Sequence, residues 1–175
     1  MTIDIFIRII ADGAVVPVVL IALWALIFKI PKGERFAAYS RILLAGLTSY
    51  MIAKFAGAIF QPEELRPFQL MGVDPGAAYL NNPGFPSDHV LFVTVLTLAV
   101  WFETRQKTVT IVMAVLSALV AIGRILALVH SPIDVLGGII FALMGALWYG
   151  SLYIREKKDG KGGGGQSGRR RTKAI

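Results

Sequence analysis

The only two histidines of the chain each lie where a helix is expected to begin. His89 belongs to the segment GFPSDHV and His130 to the segment LVHSPIDV. Ser87, just before His89, and Ser131, just after His130, are residues of a type that caps helix N-termini. The free N–H groups and the positive dipole end of such a terminus bind anions. We therefore expect both histidines to lie at one anion site.

Three basic residues add positive charge near this site. Arg124 and Lys54 lie within apolar stretches, where a charge costs about 2.5 to 3.5 kcal/mol if it is placed at the centre of a membrane. Such residues usually face a partner or a polar cavity, and the alternative is snorkelling to the interface, which suits Lys54 better. Arg66 adds a second guanidinium, whose planar fork grips phosphate oxygens in pairs. These residues together predict a phosphate pocket.

Two histidines in a phosphate pocket are suited to phosphoryl transfer. One neutral imidazole attacks phosphorus and becomes a phosphohistidine, while the other protonates the leaving oxygen and later takes a proton from water. Asp134 follows His130 by four residues and can accept the other ring N–H, which holds the imidazole tautomer. This scheme needs no metal and no cofactor, since arginines and helix dipoles stabilise the transition state.

The composition excludes an ordinary soluble protein. Of 175 residues, 55% are hydrophobic and 17% are charged, and the mean hydropathy is +0.66, whereas a soluble domain has about 25% charged residues. The absence of cysteine excludes disulfides and a thiol nucleophile. We expect one membrane-embedded domain over residues 1–154.

Five apolar stretches are long enough to cross a hydrocarbon core about 30 Å thick, which takes about 17 to 25 helical residues. They run from about Ala14 to Ile30, Arg41 to Phe60, Asp88 to Glu103, Thr108 to Val129, and Pro132 to Ile154. The apolar segment Met1 to Gly13, with Asp4, Arg8 and Asp12 spaced four apart, suits either a short interfacial helix or the start of the first span. The expected fold is an all-α polytopic membrane helix bundle with five spans, or six helices with the N-terminal one.

The basic residues predict the orientation of the bundle. Fourteen of the eighteen lysines and arginines fall on one side, the exceptions being Arg8, Lys54, Arg66 and Arg124. By the positive-inside rule, the C-terminus is cytoplasmic, and the loop 61–87 and the His130 turn face outward. Residues 155–175 form a glycine-rich basic tail that we expect to be disordered. The tail serves as a positive-inside anchor or contacts anionic headgroups, and nothing in it indicates nucleic-acid binding.

The order of these motifs resembles that of the type 2 phosphatidic acid phosphatase superfamily of integral membrane lipid phosphatases. One family motif is serine-arginine, five residues, histidine, three residues, aspartate. Arg124, His130 and Asp134 match it, with Gly123 in place of the serine. By this resemblance His130 is the nucleophile and Asp134 is its partner.

Two further family motifs precede this one. The motif proline-serine-glycine-histidine is matched by Pro86–His89, with Asp88 where glycine usually lies. The motif lysine, six residues, arginine-proline is matched at Arg66 and Pro67. The nearest upstream lysine, Lys54, is separated from Arg66 by eleven residues rather than six. Either the extra residues bulge and return Lys54 to the pocket, or this lysine snorkels.

The resemblance also implies roles for these residues. His89 is the general acid, and the phosphate-binding set is Arg124, Arg66, Ser87, Asp88 and Lys54. Within that set, Asp88 either selects substrates by repulsion or caps its helix. The family usually has six spans, against the five expected here.

The substrate is expected to be a phosphorylated or diphosphorylated lipid, whose tail stays in the bilayer. The segment FPSDH resembles that of bacterial undecaprenyl-diphosphate phosphatases, which indicates undecaprenyl diphosphate and a site on the outer side of the plasma (inner) membrane. Phosphatidic acid and phosphatidylglycerol phosphate are the alternatives. A non-catalytic lipid binder or transporter and a lipid phosphotransferase are functions of a different class.

Overall fold

A computed structural model describes residues 2–62 and 65–150, and its regular elements are all helical. The elements are α1 (Thr2–Arg8), a π-helical turn (Ile9–Gly13), α2 (Val15–Phe28), a 3-10 turn (Lys32–Glu34), α3 (Arg35–Ile59), α4 (Pro67–Met71), α5 (Asp88–Thr104), α6 (Lys107–Leu126), α7 (Pro132–Gly145) and a second 3-10 turn (Ala146–Tyr149). The predicted all-α class is confirmed. The tail expected at residues 155–175, and the end of the expected domain at residue 154, lie outside the described residues.

The N-terminal segment is the start of the first long helix. Residues Ile3–Phe28 form one apolar helix of 26 residues, interrupted only by the π-helical turn, in which the N–H of Ala14 donates to the carbonyl of Ile9 at 2.9 Å. The first helix therefore begins well before Ala14, the predicted start. With α1 and α2 counted as one, the described part of the chain has six helices.

Four helices in the described ranges are long and apolar enough to cross a membrane. They are Ile3–Phe28, Lys32–Ile59, Lys107–Leu126 and Pro132–Tyr149. Four of the five predicted spans are thereby confirmed as candidates. The fifth prediction falls on α5, whose 17 residues rise about 25 Å, at the lower end of the length that crosses a membrane.

Helix α5 lies at the centre of the bundle. It packs against α2, α3, α6 and α7, and its buried residues include Val90, Val93, Ala99 and Val100. The outer surface of the bundle is apolar instead, since Phe36 is 86% exposed and Leu147 is 83% exposed. Small residues on the inner faces, such as Ala22 and Ala38, let the helices approach closely.

The two ends of the bundle differ in structure. At one end the helices are joined by short connections, and Arg41 of α3 forms a two-bond ion pair with Glu103 of α5 at 2.7 and 2.8 Å. At the other end the segment 65–87 lies over the turn between α6 and α7. The N–H of Phe68 donates to the carbonyl of Leu128, and the N–H of Gly76 to that of Ala127, each at 3.0 Å. The segment and the turn thus form one layer that covers this end of the bundle, called the outer layer below.

The close packing of α7 on α3 depends on Gly145. A Cβ atom at this position would lie 2.5 Å from the carbonyl oxygen of Ala45 and would also overlap the hydroxyl of Ser49. Gly145→Ala is therefore expected to lower the unfolding free energy by about 1 to 3 kcal/mol, because the helices must separate. Gly150→Ala is the matched control, since a Cβ atom at Gly150 meets nothing within 4 Å. Thermal unfolding in detergent compares the two, and equal stability of both variants would contradict the expectation.

Candidate active site

A polar pocket lies between the outer layer and the N-terminal ends of α5 and α7. It is lined by Arg66, Leu80, Asn82, Pro83, Gly84, Pro86, Asp88, His89, Arg124 and His130. Five of the eight predicted site residues therefore line one pocket. The other three lie beside the pocket. Lys54 contacts Asp88 and Asp134 lies next to His130, both of which line the pocket, and Ser87 is bonded to Asp134.

His130 and Asp134 lie side by side at the start of α7. Nδ1 of His130 is 3.5 Å from Oδ2 of Asp134, which is longer than a standard hydrogen bond. The same Oδ2 accepts the N–H of Ser131 at 2.8 Å, and Oγ of Ser131 accepts the N–H of Asp134 at 3.4 Å. This capping box, which the sequence predicted, holds the carboxylate beside the imidazole.

His130 is suited to a role as a neutral imidazole. Burial lowers its pKa from the ordinary value, and the two nearby guanidinium groups lower it further, whereas the adjacent carboxylate of Asp134 opposes this change. An uncharged ring nitrogen retains the lone pair that a nucleophile needs. The tight turn before it also brings Arg124 close, since the N–H of His130 donates to the carbonyl of Arg124 at 3.3 Å.

His89 approaches the same pocket from the start of α5. The N–H of Ser87 donates to the carbonyl of Asp134 at 2.9 Å, so the N-termini of α5 and α7 are directly joined. A Cβ atom at Gly138 would lie 2.8 Å from the carbonyl oxygen of Ser87, which means that only glycine permits this approach. Ser87 is the N-cap residue, as predicted, but its hydroxyl makes no capping bond. That hydroxyl is buried and has no hydrogen-bond partner among the described residues.

Arg66 holds the outer layer together. Its Nη1 donates to the carbonyl of Val129 at 2.5 Å, and its Nη2 donates to the carbonyls of Leu80 and Asn82, both at 3.1 Å, and to Oδ1 of Asn82 at 3.0 Å. Burial lowers the pKa of Arg66, although a guanidinium remains charged at neutral pH. Most of its donors therefore bind protein oxygens, and Arg66 contributes chiefly charge and position to the pocket.

Arg124 lies in the last turn of α6 and is 1% exposed. Its Nη1 donates to Oδ1 of Asp12 at 2.7 Å, and its Nε has no partner among the described residues. Asp12 lies in the π-helical turn, and the sequence predicted no role for it at the site. The only feature of Asp12 in the sequence was its spacing of four residues from Arg8 and eight from Asp4, which indicated ion pairs within one helix instead.

Lys54 reaches the rim of the pocket through Asp88. Its Nζ lies 2.8 Å from both carboxylate oxygens of Asp88, and the two side chains are 38% and 33% exposed. The two alternatives for Lys54 were a place near the pocket and snorkelling to the interface. Its contact with Asp88, which lines the pocket, favours the first. The carboxylate of Asp88 is paired with an ammonium group, so its negative charge is partly neutralised.

An apolar groove begins where the polar pocket ends. It runs between α3 and α5 and is lined by Ile42, Leu43, Gly46, Leu47, Tyr50, Asp88, Leu91, Phe92 and Val95. Asp88 lines both the groove and the pocket. A ligand with a charged head and an apolar chain could occupy the two together.

Comparison with known protein families agrees with the motifs. The model described as PAP2 superfamily matches residues 38–158, which is 121 of the 175 residues. Separate comparisons with curated proteins and with solved structures give no match. The matched range includes all eight predicted site residues and excludes Asp12. The chain therefore belongs to the PAP2 superfamily, whose enzymes are metal-independent phosphatases.

Proposed function

We propose that this protein is an integral membrane phosphatase that hydrolyses the phosphate headgroup of a lipid. The observation on which this rests is the convergence of His89, His130 and two buried arginines in one pocket that continues, at Asp88, into an apolar groove. A pocket for a soluble phosphate ester has no use for the groove. A site for lipid alone has no use for two histidines beside two guanidinium groups.

In the proposed reaction a ring nitrogen of His130 attacks the terminal phosphorus, and the bond from this phosphorus to the oxygen that joins it to the rest of the lipid breaks. His89 donates a proton to that leaving oxygen. A water molecule then attacks the phosphohistidine, His89 takes its proton, and the phosphorus–nitrogen bond breaks to release inorganic phosphate. Asp134 holds the tautomer of His130 throughout.

The remaining residues of the proposed site stabilise the phosphoryl group. Arg124 and Arg66 supply positive charge where the equatorial oxygens gain negative charge in the transition state. Ser87 offers a buried hydroxyl that has no other partner among the described residues. Lys54, held by Asp88 at the rim, faces the part of the headgroup nearer the lipid chain.

The dimensions of the groove support a lipid substrate. Along α3 it extends from Tyr50 to Ile42, eight residues or about 12 Å, which is close to the depth of one leaflet of a hydrocarbon core about 30 Å thick. A hydrocarbon chain in the groove would leave its headgroup beside Asp88. This placement supports a membrane substrate over a soluble one.

Undecaprenyl diphosphate, converted to undecaprenyl phosphate, is the substrate that we propose. The reason is the FPSDH form of the motif that contains Asp88. Phosphatidic acid and phosphatidylglycerol phosphate fit the same pocket and remain the alternatives. The distribution of lysine and arginine supports a site that faces the outer side of the plasma membrane and a C-terminus that lies in the cytoplasm.

Phosphate release tests the function directly. Detergent-purified protein in excess chelator should release phosphate from undecaprenyl diphosphate, and more slowly from phosphatidic acid and phosphatidylglycerol phosphate. His130→Ala should lower turnover by roughly 1,000-fold or more, because no phosphohistidine can form. The thermal unfolding of His130→Ala serves as the folding control.

The other outcomes of this panel each point to a different function. Preference for a glycerolipid would keep the mechanism and replace the substrate. Lipid binding by folded protein without release, unchanged in His130→Ala, would indicate a binder or transporter. A phosphorylated product formed when an acceptor alcohol is added would indicate a phosphotransferase.

The pH dependence follows from the environment of His130. Because burial lowers its pKa, the neutral, active form should persist below the ordinary histidine value of about 6.5 and be lost only as the pH falls through the lowered pKa. Since His89 must be protonated, kcat/KM should fall again as the pH rises through the pKa of His89, with both limits belonging to the coupled pair. In Asp134→Asn the acid limit should move to still lower pH, because the contact that raises the pKa is weakened. An acid limit above 6.5 in a kcat/KM profile would contradict this environment.

The ion pair of Lys54 and Asp88 at the rim of the pocket gives a test of headgroup binding. Lys54→Met should raise KM by about three- to ten-fold, because it removes a positive charge and leaves Asp88 to repel the headgroup. The double variant with Asp88→Asn should recover much of the loss, since the unpaired carboxylate is gone. Lys29→Met, which removes a lysine at the opposite end of the bundle, should leave KM unchanged. Steady-state kinetics with one lipid decides the matter, and an unchanged KM in Lys54→Met would exclude Lys54 from the site.

A further inference from the structure

Asp12 contacts the site from outside the part of the chain that matches the family model. That model begins at residue 38, whereas Asp12 lies in the π-helical turn Ile9–Gly13. Its Oδ1 is 2.7 Å from Nη1 of Arg124, across 112 residues of sequence. Turns of this kind often lie at functional sites, because the extra residue turns the following side chains to a new direction.

The contact depends on close approach of two backbones. A Cβ atom at Gly123 would lie 2.7 Å from the backbone nitrogen of Ala11 and 2.8 Å from its Cα. Any other residue at 123 would therefore push the π-helical turn away from α6. Gly123 occupies the place of the family serine, so the departure from the motif and the approach of Asp12 occur at the same point.

Arg124 needs a partner on this side. A guanidinium that is 1% exposed cannot be left without a counter-charge, and Asp12 is the only carboxylate bonded to it among the described residues. With Nη1 held by Asp12, the unpartnered Nε stays available in a residue that lines the pocket. The guanidinium of Arg124 is thus held by Asp12 at Nη1 and has no partner among the described residues at Nε.

The second oxygen of Asp12 holds the outer layer. Its Oδ2 accepts the N–H of Ala78 at 2.9 Å, in the segment that continues to the pocket-lining residues Asn82 and Gly84. One carboxylate therefore joins the N-terminal helix, the end of α6 and the outer layer. Its 27% exposure places it at the edge of the site, where it does not block the pocket.

We infer that Asp12 is a positioning residue for phosphate binding: it sets the orientation of the Arg124 guanidinium, so that the free edge of that group meets the phosphate. This inference rests on the proposed function. Two effects of the carboxylate have opposite signs, because its charge opposes an incoming anion while its hydrogen bond preorganises the arginine. Preorganisation is the larger effect, since misplacement by about 1 Å costs on the order of 100-fold in rate.

The test compares Asp12→Ala and Asp12→Asn with the wild type. Asp12→Ala should lower kcat/KM about 10- to 100-fold and weaken competitive inhibition by inorganic phosphate, and Asp12→Asn, which keeps an acceptor oxygen, should show a smaller loss. Asp74→Asn, an exposed carboxylate in the same outer layer, is the matched control and should behave as wild type. Tighter inhibition by phosphate in either Asp12 variant would overturn the inference, because charge opposition would then be the larger effect.

A double-mutant cycle separates positioning from general stability. In the background of Arg124→Ala, the further change Asp12→Ala should cost no more activity, because the group that it orients is gone. If the two losses multiply, Asp12 acts through the fold and the inference is wrong. Thermal unfolding of each variant identifies any that fail to fold, and Asp12→Asn keeps the test available if Asp12→Ala is among them.

Direct binding distinguishes this inference from the proposed function. Titration calorimetry of inorganic phosphate into the wild type and Asp12→Asn needs no turnover. Weaker binding by the variant, in a protein that releases no phosphate from any lipid, would uphold the role of Asp12 and overturn the phosphatase. Normal hydrolysis with equal phosphate affinity in both proteins would do the reverse.

Discussion

A buried guanidinium must be paired, and the arrangement of this molecule follows that requirement at Arg124. The side chain lies in the last turn of α6, almost wholly removed from solvent, where an unpaired charge would cost several kcal/mol. Its pairing with Asp12 brings the N-terminal helix against α6, and the absence of a side chain at Gly123 permits that approach. The same carboxylate then binds the outer layer at Ala78. A single ion pair therefore links three separate parts of the chain around the pocket.

The two histidines are brought together by a different device. Each lies near the N-terminus of a helix, and the bond from the N–H of Ser87 to the carbonyl of Asp134 joins those termini. Gly138 allows the backbones to touch there. Two imidazoles and two guanidinium groups then line one pocket, an arrangement suited to a phosphoryl group. Membership of the PAP2 superfamily agrees with this geometry.

Polar and apolar surfaces meet at Asp88. On one side lies the pocket with its charged lining, and on the other lies a groove of aliphatic and aromatic residues between α3 and α5. Lys54 neutralises the carboxylate at this boundary, which lowers the cost of a charged group beside hydrocarbon. The outer surface of the bundle is apolar as well, so a lipid can approach from the side without leaving the membrane.

The sequence by itself determined what is local. Apolar runs predicted the long helices, and the spacing of Arg124, His130 and Asp134 predicted their proximity, because a helix end, a turn and a helix start span only eleven residues. The tertiary structure decided what depends on distant contacts. Asp12 lies 112 residues from Arg124. Its spacing from Arg8 and Asp4 indicated contacts within one helix, whereas the π-helical turn directs its side chain to Arg124. Arg66, predicted to bind phosphate, also donates to carbonyls of the outer layer, because a buried fork bonds the oxygens that packing brings to it. Lys54 lies off its motif spacing, and Asp88 places it at the rim, since an ion pair between helices depends on how they pack and not on their separation along the chain.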